Sequence, residues 1–91
     1  MEVSTIKADL KQNLVDDLAI FFRNVELNIR ANSELYNELI LYKGRYKKNE
    51  KDFLKNIISR NDYSINLDQI RNAILSLIDR ISPEDIIKLY S

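Results

Sequence analysis

The sequence predicts an all-α chain, folded as a small helical bundle of four to five helices on a long antiparallel helical hairpin (about 33–55 and 59–80). Three observations carry that expectation. Glycine and proline occur once each, too few for the turns of a β-rich fold. Apolar residues recur at alternating spacings of three and four, the period of one helix face. Two consecutive stretches carry that period as matched heptad stripes. With 91 residues the chain fits one domain, taken as 1–91. The hydrophobic fraction of 45% and zero net charge are those of a globular chain, not a disordered one.

The first helix is expected over about 4–11, with Val3, Ile6 and Leu10 on one face and Lys11-Gln12-Asn13 as a short break. The second is expected over 14–28, with Val15, Leu18, Phe22, Val25 and, at its end, Ile29 turned inward. Arg30-Ala31-Asn32 reads as a polar link, and Asn32 or Ser33 as the cap of a third helix over 33–55. That helix is roughly 35 Å long at ~1.5 Å per residue. Asn56 suits the left-handed conformation that follows a helix end. Ser59, with Asp62 three residues later, opens a fourth helix that runs to about residue 80. Ser82-Pro83-Glu84-Asp85 offers a cap, a proline at the first helical position and acids in the first turn, so a short last helix is expected over 83–89.

The architecture follows from the third and fourth helices. Leu35, Leu39, Tyr42, Tyr46, Asn49 and Phe53 repeat at 4, 3, 4, 3, 4, and so do Tyr63, Leu67, Ile70, Ile74, Leu77 and Ile81. The link is short, so the helices fold back antiparallel. One register then pairs all layers, from Leu35 with Ile81, through Tyr46 with Ile70, to Phe53 with Tyr63. Each such burial contributes ~1.5–3 kcal/mol before entropy is subtracted. Asn49 is the polar member: it either fixes register by bonding to Asn66 or sits near solvent where the seam frays. A second stripe of Tyr36, Ile40, Leu75 and Ile78 implies that the first two helices pack across the hairpin.

Much chemistry is excluded. The chain has no histidine and no cysteine, which removes Ser-His and Cys-His nucleophiles, imidazole and thiolate metal sites, and disulfides. One glycine, Gly44, is too few for a phosphate-binding glycine loop. The paired acids Asp16-Asp17 and Glu84-Asp85 read as solvated or capping groups rather than acid–base pairs. No catalytic residue, metal or cofactor is expected. No apolar run approaches the ~20 residues that cross a bilayer, and the first ten residues carry Glu2 and Asp9 in place of a signal-peptide core. The expected location is the cytoplasm.

Charge is balanced in sum and divided in space. Residues 43–60 hold Lys43, Arg45, Lys47, Lys48, Lys51, Lys55 and Arg60 against Glu50 and Asp52, a net of +5. The flanking stretches are acidic, at −3 for 1–42 and −2 for 61–91. Beside the plain reading, a solvated helix face, stands a docking reading. Lys43, Lys47, Lys48, Lys51 and Lys55 form one partner-binding surface, and Asp16, Asp17, Glu84 and Asp85 are candidates for its acidic counterpart. If the two are not self-opposed, contact runs head-to-tail into rings or filaments. Nucleic acid is the less favoured partner, because the pI is near 6.2 and no helix-turn-helix or zinc pattern appears.

NELILYKGRY (37–46), the helix start at Ile58-Ser59 and IRNAILSLID (70–79) resemble the effector-associated domains of bacterial conflict systems, most closely the subgroup numbered eleven. The Asn-Glu before an aliphatic run, Gly44-Arg45 and Ile70-Arg71 occur together at fitting separations. The resemblance covers about 35–79 and is weaker over the first two helices, where 14–22 is similar to the family's short amphipathic helix. Tyr42 stands where the family often has an aliphatic residue, and Asn56 near a usual glycine; both keep the local fold.

The resemblance implies a non-catalytic adaptor. Such domains are fused to caspase-like or trypsin-like peptidases, toll-interleukin receptor domains or signalling ATPases, and bring effector and sensor together by like-with-like association. No catalytic residue carries over. The start at Met1 and the end at Ser91 suit an excised N-terminal domain as well as an independent small protein. The leading expectation is a homotypic adaptor in bacterial immunity or programmed cell death. Two others stand beside it: a nucleic-acid-binding bundle using the same lysines, and a plain dimerisation domain using exposed Phe21, Leu27 or Leu41.

Overall fold

Ser33 and Ser59 set the starts of the two long helices. Each lies in extended backbone, and each hydroxyl accepts a backbone N–H at 3.0 Å, from Tyr36 and Asp62 respectively. These bonds satisfy donors that the first turn leaves without a partner. The computed structural model describes residues 3–87. Four α-helices form there: α1 (Val3–Asp16), α2 (Leu18–Asn28), α3 (Glu34–Leu54) and α4 (Arg60–Asp79). The described residues contain no strand, only an isolated antiparallel bridge between Ile29 and Ile86.

The helices alternate in direction around a closed circuit. Between α3 and α4, Asn66 Nδ2 donates to Asn49 Oδ1 at 2.9 Å and Phe53 stacks on Tyr63 at 4.4 Å. At the other end of this hairpin, Arg80 Nη1 lies 3.3 Å from Glu38 Oε2, an ion pair without an aligned hydrogen bond. Against α1, Arg71 Nε on α4 donates to the Leu14 carbonyl at 3.3 Å and Lys7 Nζ donates to the Asp79 carbonyl at 3.0 Å. Between α2 and α3, the Phe22 and Tyr46 rings lie 5.8 Å apart and Lys43 pairs with Glu26. α1 packs on α2 to complete the circuit. Inside it lie Ile6, Leu10, Leu14, Leu18, Phe21, Phe22, Val25, Leu39, Ile74 and Ile78, all nearly inaccessible to solvent.

The two halves differ in length. The molecule measures 49 × 21 × 18 Å. α1 and α2 have 14 and 11 residues, against 21 and 20 in the hairpin. The α1–α2 corner is level with Tyr46 and Arg71, so α4 runs on past it for about eleven residues, or ~16 Å. The hairpin tip therefore stands beyond the four-helix body as two helices alone.

Three sequence expectations are corrected. The first break falls at Asp17, not at 11–13. Lys11 and Gln12 are good helix formers, and Leu14 continues the inward face of Ile6 and Leu10, so α1 runs on to Asp16. This moves the α2 stripe: Phe21 is wholly buried rather than an exposed dimer contact, and Val15 is 73% exposed rather than turned inward. Leu27 and Leu41 are exposed as expected; Leu75, expected in the second stripe, is exposed instead. The last helix is not formed over its described part. Pro83–Asp85 is a single 3-10 turn, and the chain then extends so that Ile87 N–H donates to the Asn28 carbonyl at 2.8 Å and Arg30 N–H to the Asp85 carbonyl at 2.6 Å. Pairing with the α2–α3 link wins because it seats Ile86 in the core. Residues 88 and 89 of that expected helix lie outside the described residues.

Candidate interaction surface

The basic stretch lies along the outer side of α3 and around the tip, but its five named lysines are not equivalent. Lys43 pairs with Glu26 across the α2–α3 junction, and Lys48 pairs with Asp52 one turn on, at 2.8 Å. Lys47, Lys51 and Lys55 are exposed, and among the described residues they make no ion pair. Positions 43, 47, 51 and 55 are four apart, so they form one slowly turning row. Its free charges are concentrated toward the tip.

The four acids are separated. Asp17 is the N-cap of α2, where its Oδ1 accepts the Ala19 N–H at 2.8 Å. Asp16 is exposed beside it and accepts from Gln12 Nε2 at 3.0 Å. Asp85 Oδ2 accepts from the Ser82 N–H at 2.9 Å and from its hydroxyl at 3.0 Å, tying off the 3-10 turn. Glu84 is exposed next to it. Asp17 opens α2 and the Asp85 carbonyl meets Arg30 just after its end, so the two acid pairs are a helix apart, ~16 Å. The structure thus brings Asp16 and Asp17 to the same end of the molecule as the tip lysines, and Glu84 and Asp85 to the other end.

Between α3 and α4 lies an open groove of about 270 Å³, with Ile70 and Ala73 among its walls and Arg45, Lys48, Asn66 and Gln69 along its rim. Arg45 is held over the Tyr42 ring, 5.1 Å from its centroid, a cation–π contact that keeps the guanidinium at the rim. Below it, Asn49 is buried and satisfied. Its Oδ1 takes the Asn66 amide and its Nδ2 donates to the Tyr63 carbonyl at 3.2 Å. The bond to Asn66 is the first of the two roles the sequence allowed for Asn49.

Tyr63 and Tyr46 hold their phenol protons more tightly than usual. Tyr63 donates to Glu50, and that bond, then burial, pushes its phenol up to about 12. The Tyr46 phenol is raised by burial first and by the charges of Glu50 and Asp17 next. By donating to Glu50 on α3, the Tyr63 phenol ties the hairpin together and is not a group readied to lose its proton. Among the described residues no group of carboxylates is arranged to hold a metal ion.

The family model of effector-associated domain 11 matches residues 4–82. The chain belongs to that family. The match spans α1 to α4 and reaches both helices over which the sequence resemblance was weak. Effector-associated domain 11 carries with it an effector-associated, regulatory or adaptor role of a generally non-catalytic kind. Compared with curated proteins and with solved structures, the chain has no match. No helix among the described residues of this effector-associated domain is long and apolar enough to cross a membrane.

What the sequence missed at this surface is apolar. Leu54 is 76% and Ile57 65% exposed at the hairpin tip. The available signal was two aliphatic residues off the heptad stripe, next to a turn and flanked by Lys51, Lys55 and Arg60.

Proposed function

We propose that this effector-associated domain is a non-catalytic adaptor that couples an effector to a sensor by binding another copy of the same or a related domain. It works in the cytoplasm, in a bacterial conflict, antiphage or programmed cell death system. The observation that carries the reading is the row of exposed lysines with no ion partner among the described residues, Lys47, Lys51 and Lys55, on a member of this family. Cations left unpaired on a surface steer association with an acidic surface and suppress wrong pairings.

Light scattering over a concentration series at several salt concentrations tests the reading. Mass should rise with concentration at low salt and fall back as salt shortens the Debye length from about 30 Å at 0.01 M to about 8 Å at 0.15 M. A monomer under all conditions, with no binding to a related domain, would count decisively against it. Retardation of nucleic acid at low salt, with a steep salt slope, would move the lysines to a different role.

A further inference from the structure

The hairpin tip and the α1–α2 corner form a step. Along α3, Lys43 pairs with α2 and Lys47 lines the α2–α3 junction. Leu54 falls between these two in angle, eleven and seven residues further on, so it lies on the face that α2 would cover if α2 were longer. α2 stops short of it, and Leu54 and Ile57 are left open to solvent with Lys51, Lys55 and Arg60 around them. The tread of the step is the corner itself, which exposes Val15 at 73% and Ile20 at 46%, with Asp16 and Asp17 between them. An apolar riser with cations beside it thus adjoins a corner whose outer side exposes two apolar residues with acids between them.

From this shape we infer that two copies interlock as a closed two-fold dimer, each laying its hairpin tip on the α1–α2 corner of the other. The inference rests on the self-association reading above and gives that association its surface. Leu54 and Ile57 of one copy cover Val15 and Ile20 of the other, and Lys51 and Lys55 meet Asp16. Because tip and corner lie at the same end of the molecule, one contact brings its reciprocal with it, and the assembly closes at two instead of growing into a filament. Each tip projects ~16 Å from a molecule 21 × 18 Å across, so two tip-on-corner contacts fall near the lower edge of the ~1,200 Å² that a stable interface buries. An association of that size is reversible, as a signalling contact has to be.

Sedimentation velocity on the full chain and its variants tests the geometry. Wild type is expected to run between monomer and dimer with no larger species. Leu54→Asp with Ile57→Asp, both at exposed positions, should keep the helical circular dichroism and weaken the dimer at least tenfold. Lys51→Glu with Lys55→Glu should weaken it similarly, as should Asp16→Lys alone, and the three charge reversals together should recover most of the loss. Glu84→Lys, at the far end, should leave the dissociation constant unchanged. If wild type associates but the tip and corner variants do so equally well, or if mass climbs past the dimer, the interlocked geometry is overturned while self-association stands. If wild type stays monomeric at every concentration, the interlocked dimer is overturned, and the adaptor reading falls with it only if no related domain is bound either.

Discussion

Asn49 and Tyr63 carry the polar side of an otherwise apolar seam. Asn49 joins α3 to two points on α4, and a buried amide left without a partner costs about 1–3 kcal/mol. Asn49→Ala removes both bonds and leaves the half-buried Asn66 amide at the groove rim to water, so urea unfolding should show a loss near the lower end of that range, about 1 kcal/mol. Replacing Asn49 and Asn66 together by leucine removes donor and acceptor at once and should come close to neutral, while relaxing the register the pair defines. Tyr63 makes a pH-dependent contribution. Its phenol titrates at about 12 in the folded chain against an ordinary 10.0, so the folded state holds the proton more tightly than the unfolded one. The linked stability is fully present below pH 10.0 and drains away as pH rises through about 12. Ultraviolet titration of tyrosinate should show a late phase near that upper value. In Tyr63→Phe that phase should be missing, and stability should fall less steeply across the same window.

At the level of elements, the caps decided what could be read. Ser33, Ser59 and Asn56 each stand at a helix boundary, and each does what its type favours: two serines cap, and Asn56 takes φ 60° after α3. The hairpin was legible because twelve positions at a fixed spacing permit one pairing. The α1–α2 break was not, because Asp16 and Asp17 look alike in sequence and only one of them leaves the helix. Asp17 precedes Leu18-Ala19-Ile20-Phe21-Phe22, a start signal that competes with the weaker one at Asn13. Asp17→Ala should lower stability by about 1 kcal/mol, and Asp16→Ala should stay within about 0.5 kcal/mol, both read by thermal unfolding. The final turn misled for another reason. Its proline and acids start a helix locally, but an extended strap that buries Ile86 gains more from the core than one further helical turn would.

Across the whole molecule, stability is unevenly spread. Leu35, Leu39, Ile70, Ile74, Leu77 and Ile78 of the hairpin are buried where α1 and α2 cover it, whereas among residues 50–66 no side chain reaches that degree of burial. Amide hydrogen exchange in dilute solution should therefore be faster over 50–54 and 60–66 than over 70–78, because regions with few buried contacts open at lower free energy. The surface was less legible than the core for the same reason. A heptad states which residues face each other inside, but the step between tip and corner arises from a difference in helix length, which depends on the misread break at Asp17. The strap at the other end has a mechanical meaning. Tension applied at Ile87 falls on its bond to the Asn28 carbonyl first, and on the Arg30–Asp85 bond only after that one has parted. Loaded one after the other, with the buried Ile86 to be drawn from the core between them, these two links open stepwise, so a pull from that side reaches the α2–α3 link before the helices themselves.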